Sequence, residues 1–156
     1  VCGIAAAAGC QLVASCDLAV ASDQSSFMTP GVNIGLFCST PMVAVSRNIS
    51  RKKIMEMLLT GEKLSAQEAV QFGLINKCVP LKRLHVDTLN LAKLIASKPT
   101  STVKIGKEAF YKQVEMSLDD AYNYTSEVMA INMMEIDAHE GISAFLDKRT
   151  PFWNEK

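Results

Sequence analysis

Five cysteines, at positions 2, 10, 16, 38 and 78, are the side chains of this chain most often recruited for metal or redox chemistry. Their odd number and the absence of a CxxC pair argue against a disulfide framework or a zinc site. Most of them are expected to be buried, reduced thiols, which behave as small apolar residues. No metal ligand set and no cofactor are expected. His85 and His139 lie in polar surroundings on late helical stretches and read as surface histidines. Asp17, Asp23 and Glu62 are the carboxylates nearest to the small-residue segment Ala5–Gly9. Asp17 reads as an acceptor for backbone amides at a strand start, and Glu62 lies in a loop between helices. Asn33, beside the Pro30-Gly31 turn, is neutral, so it can bind but cannot transfer a proton at pH 7.

The elements that position these residues are short. Ala5 to Cys16 reads as a helix of small residues, because alanine has the best helix propensity. Its first N–H groups have no intrahelical acceptor and sit at the positive end of the helix dipole. Asp17 to Ser22 reads as a short strand. Ser25 to Phe37 reads as a second strand and a loop punctuated by Pro30, Gly31 and Gly35. Two short helices follow, joined at Thr60-Gly61. Ser65 with Glu68 forms a capping box, and Gly73 is a stop. Lys77 to Pro80 is extended. Helical patterns then run over 81–97, 103–116, from Ser117 with Asp120, and over 137–149.

A chain of 156 residues suffices for one domain with a core. Sixteen basic and sixteen acidic side chains cancel, which gives no electrostatic reason to expect nucleic acid or an anionic membrane as partner. No apolar run approaches the ~20 residues that span a bilayer. The chain begins at Val1, without a basic, serine-rich leader.

Four blocks stand in a telling order. They are Gly9-Cys10-Gln11-Leu12 with Cys16-Asp17; Phe27-Met28-Thr29-Pro30-Gly31-Val32-Asn33-Ile34-Gly35; Leu59-Thr60-Gly61-Glu62 running to Phe72-Gly73-Leu74-Ile75; and Glu140-Gly141 running to Lys148-Arg149. Together they resemble the crotonase (enoyl-CoA hydratase/isomerase) superfamily. The resemblance implies an α/β fold: a crotonase spiral core truncated at its N-terminus, with small strands flanked by helices and then a helical trimerisation region. It implies core over 1–80 and oligomerisation region over 81–156. Roughly a further hundred residues precede the glycine-rich segment in the superfamily, so the chain is expected to be the C-terminal part of a longer domain.

The resemblance also assigns residues. The family's two catalytic glutamates fall on Gln11 and Gly31. An amide side chain has no exchangeable acid proton, and glycine has no side chain. Each general acid/base lost costs about 10²–10⁴-fold in rate, and such losses do not simply multiply. Gln11 is thus either a group that orients a water or thioester, or a polar residue on a helix face. The backbone amide of Ala8 takes the position of an oxyanion-hole donor, a role that suits a helix N-terminus. The alternative is a close-packed helix start. Phe145 and Lys148 match an aromatic and a lysine that reach CoA bound to a neighbouring subunit. The i,i+3 spacing puts them on one helix face. The alternatives are a core phenylalanine and a lysine complementing the helix dipole.

The implied function is an acyl-CoA-binding, enoyl-CoA hydratase-like protein of fatty-acid metabolism in the mitochondrial matrix, with weak or no hydratase activity. Two readings stand beside it. One is an active crotonase-type isomerase, decarboxylase or thioesterase. The other is a non-enzymatic oligomer subunit or regulator. The implied partners are an acyl-CoA thioester and further copies, as a homotrimer or hexamer. Restoring both acids, Gln11→Glu with Gly31→Glu, is expected to recover hydration unless Gly31 has positive φ.

Overall fold

Ala5 and Ala6, expected in a helix, lie in a strand. The computed structural model describes residues 1–154. It places β1 at Ile4–Ala6 and α1 at Ala8–Ser15. β1 runs parallel to β3 (Ser26–Met28), with Ala5 opposite Phe27. Alanine's helix advantage is at most about 0.7 kcal/mol per residue over other ordinary residues. Pairing with β3, with Ala5 buried against it, overrides it. Ala7 joins the two elements. Its N–H donates to the Met28 carbonyl at 3.0 Å, and its carbonyl accepts from Gln11 N at 3.0 Å. This double engagement holds Ala7 at φ 47°, ψ −112°. Such a conformation costs a non-glycine residue about 1–3 kcal/mol.

β3 is central. It also pairs antiparallel with β4 (Leu64–Ser65), so the sheet order is β1-β3-β4. β4 falls where the sequence suggested only a connection between helices. A second sheet pairs β2 (Val20–Ser22) in parallel with β5 (Lys77–Val79). Phe27 and Leu64 are fully buried, in a core that includes Cys10, Val45, Ile54, Met57 and Leu58.

Three helices complete this part: α2 (Pro41–Val45), α3 (Arg51–Thr60) and α4 (Ala66–Gln71). Their ends follow local chemistry. Gly61 closes α3 at φ 67°. The Ser65 hydroxyl accepts from Glu68 N at 3.3 Å, and Glu68 Oε2 accepts from Ser65 N at 2.9 Å. The Ser65 hydroxyl, then its amide, hold the Glu68 carboxyl below its usual range. Gly73 follows α4 at φ 84°.

The chain divides into two compact units, Val1–Asn90 and the remainder from Leu91. The division falls inside α5 (Leu84–Ala96). The second unit packs α6 (Thr100–Gln113), α7 (Leu118–Met133) and α8 (Ile136–Leu146) against one another. Ser117 caps α7 by accepting from Asp120 N at 3.4 Å.

The segment after α8 folds back on this unit. Arg149 donates to both oxygens of Glu140, at 2.6 and 2.9 Å. Phe152 N donates to Glu140 Oε1 at 2.8 Å, Asn154 N to Asp137 Oδ1 at 2.9 Å, and Trp153 Nε1 to the Ser97 carbonyl at 3.0 Å. The Trp153 ring lies 3.4 Å from where a β-carbon on Gly141 would stand. Arg149, then the Phe152 amide, lower the Glu140 carboxyl from 4.5 to about 2. A depressed carboxyl stabilises the fold above its unfolded value and loses that contribution as pH falls through its folded one. Protection of the Phe152 amide from hydrogen exchange, corrected for intrinsic rate, is therefore expected to fall between pH 4.5 and about 2. Glu140→Gln should abolish that step, and an unchanged step would remove the assignment.

The cysteine expectation needs correcting. All five are free, but only Cys10 and Cys38 are buried. Cys78 is half-buried, and Cys2 and Cys16 are exposed.

Candidate functional site

The first donor inside the α1 hydrogen-bond ladder is Gln11, whose N–H reaches the Ala7 carbonyl. The amides of Ala8, Gly9 and Cys10 precede it, at the positive end of the helix. Ala7 and Ala8 form one wall of an open cavity of about 530 Å³. The facing wall is the segment from Pro30 to Pro41, a 3₁₀ helix (Pro30–Ile34) and the turn after it. Two positions singled out in the sequence, Ala8 and Gly31, thus meet at one cavity.

Gly31 does not have positive φ, contrary to the possibility raised by its turn setting. Its constraint is space. A β-carbon there would stand 2.9 Å from the Leu36 carbonyl oxygen and 3.0 Å from Cys38 Sγ. The Leu36 amide donates back to the Gly31 carbonyl at 2.9 Å, and Gly31 N donates to Cys38 Sγ at 3.4 Å. Asn33 also lines the cavity. Its side-chain amide lies against Gly61, where a β-carbon would come within 2.7 Å of Nδ2.

Gln11 is half-buried on α1, one turn beyond Ala8, and is not part of the cavity lining. Asp17, Asp23 and Glu62 are not part of it either. Asp23 Oδ1 instead accepts from Leu81 N at 3.3 Å. The residues that line the cavity carry no carboxylate, imidazole or amine. Among the described residues that line it Cys38 is the one thiol, and Cys10 lies in the core cluster. Burial pushes the Cys10 thiol up to about 11, against a smaller lowering by the Met28 amide, with Cys38 adding to the rise. Cys10 is accordingly a protonated, inert core thiol at neutral pH. Among the described residues no three His, Cys, Asp or Glu side chains gather into a metal-binding group. No described helix is long and apolar enough to cross a membrane.

Phe145 and Lys148 lie in the second unit. Phe145 is 81% exposed, which excludes a core role within this unit. Lys148 is not on the α8 face assumed from its spacing. α8 ends at Leu146 with Asp147 as its cap, and Lys148 follows at φ 54°. Arg149 N bonds the Ala144 carbonyl at 3.0 Å, closing the helix as a Schellman turn. Sequence reasoning missed Ala7, Leu36 and Cys38. Strained backbone and close approaches across a turn leave no mark in residue type.

The family model described as enoyl-CoA hydratase/isomerase matches residues 1–156. The chain belongs to the enoyl-CoA hydratase/isomerase family. It is 56% identical over 154 residues to the Homo sapiens protein named enoyl-CoA hydratase domain-containing protein 3, mitochondrial, covering 99% of this chain and 51% of that protein. Among solved structures, a Mycobacterium smegmatis enoyl-CoA hydratase superposes with a TM-score of 0.96 at 51% identity, over 98% of this chain and 60% of that one. The crystal structure of human enoyl coenzyme A hydratase domain-containing protein 3 gives 0.94 at 56%, over 97% and 60%. The fold is therefore the α/β fold of this family. The chain spans about half the length of the curated relatives it matches.

Proposed function

We propose that this chain carries the enolate-binding wall of an acyl-CoA site in a hydratase-like protein that lacks the two-glutamate chemistry of its family. One observation carries the reading: the start of α1, at Ala8, faces an open cavity whose lining bears no acid or base. Preorganised amides at a helix N-terminus favour a thioester oxygen as it takes on enolate charge. The proton transfers of hydration need a group that the lining lacks. Relatives named mitochondrial support a place in mitochondrial fatty-acid metabolism. Phe145 and Lys148 are proposed to contact CoA held by a neighbouring copy, in a homotrimer or hexamer assembled through α6, α7 and α8. The exposure of Phe110, Leu118, Tyr122, Met129 and Phe145 supports that assembly.

The test uses the complete protein. Calorimetric titration with butyryl-CoA should show binding, and Ala8→Leu should weaken it by at least about tenfold, or roughly 1.4 kcal/mol. A parent oligomer that does not bind would remove the ligand assignment. The acid-free lining also favours a second reading, a decarboxylase. Loss of CO₂ from a β-carboxy thioester needs enolate stabilisation but no base. Release of CO₂ from a malonyl-type thioester tests it.

A further inference from the structure

We infer that the turn from Gly31 to Cys38 bars any side chain at position 31, so that the second acid of this site cannot be restored by substituting that residue. The atom nearest to an added β-carbon is the Leu36 carbonyl oxygen, at 2.9 Å. It is backbone, so no rotamer change relieves the contact. The next is Cys38 Sγ at 3.0 Å, on a side chain only 8% exposed. The turn is tied at both ends. Leu36 N bonds Gly31 O at 2.9 Å, and the Cys38 carbonyl accepts from Met42 N at 3.0 Å, at the start of α2. Opening space at position 31 therefore means displacing the Leu36 peptide, and with it the Gly31–Leu36 bond, as well as moving a buried thiol.

In the cavity that Ala8 also lines, a carbonyl and a thiol occupy the space that the β-carbon of an acidic residue at position 31 would need. Substituting Gln11 alone can return a proton-transfer group, and one carboxylate must then serve both transfers. This consequence rests on the acyl-thioester reading above, whereas the steric exclusion does not.

The experiment uses the complete protein and five variants. Gly31→Ala should lower the thermal midpoint by several degrees and weaken butyryl-CoA binding by at least about tenfold. Gly31→Ala should cost a similar number of degrees in a Cys38→Ala background, because removing the thiol leaves the Leu36 carbonyl in place. Crotonyl-CoA hydration by the Gln11→Glu, Gly31→Glu double variant should be no faster than by Gln11→Glu alone. The inference is overturned if Gly31→Ala melts and binds like the parent. It is also overturned if the double variant hydrates about tenfold faster than Gln11→Glu, or if Cys38→Ala makes Gly31→Ala harmless. Should the parent bind no acyl-CoA, the functional reading fails, and the midpoint of Gly31→Ala still decides the turn.

Discussion

Phe27→Ala is expected to cost about 3–5 kcal/mol of unfolding free energy. Phe27 is 0% exposed and is the largest of the fully buried side chains. It sits at the middle of the central strand, with Ala5 beside it on β1 and Leu64 beside it on β4. Ala5, its partner on β1, is too small to move into the space it would leave. The cost therefore includes most of the cavity as well as the lost transfer free energy. The damage should extend to the site, because β3 leads into Pro30 and Gly31 while β1 leads into Ala7 and Ala8. Urea unfolding of the complete protein measures it, with Phe27→Leu as a milder control. A loss below about 1 kcal/mol would show that the sheet does not depend on this ring.

Crotonyl-CoA hydration should rise about 10²-fold in Gln11→Glu, the low end of what one general acid/base supplies. Gln11 lies one turn from Ala8 on the same helix and is half-buried. Gln11 does not line the cavity, so the gain requires the thioester to extend from Ala8 along α1 to position 11, where a carboxyl would take a proton from water and return one to the α-carbon. The amide can do neither. The gain is held to the low end because, among the described residues of this chain, none that lines the cavity carries a second carboxyl. Steady-state rates of the parent and the variant, at matched acyl-CoA affinity, decide the matter. Rapid hydration by the parent would require a proton-transfer group elsewhere in the complete protein. An unchanged rate in the variant would mean that Gln11 does not face the thioester.

Local signals were legible residue by residue. The Ser65–Glu68 capping box, the left-handed glycines Gly61 and Gly73, and the Ser117 cap of α7 all stand where the sequence places them. The order of the four blocks was likewise enough for the family and its α/β fold. These features need only neighbours a few residues away, or a pattern that survives without knowing any contact. Ala5 and Ala6 form a strand against their helical propensity because pairing with Ser26–Met28, some twenty residues on, outweighs a small intrinsic preference. Which cysteines are buried is not legible in the sequence for a related reason, since solvent exposure belongs to packing and not to residue type. Lys148 falls off the helix face that its spacing implies, because α8 ends two residues before it. The chemistry missing from positions 11 and 31 was visible as two letters. That Gly31 is closed off by the Leu36 carbonyl and Cys38 was decided only when the turn folded back on itself, because a steric exclusion is a distance between atoms that the chain order does not contain.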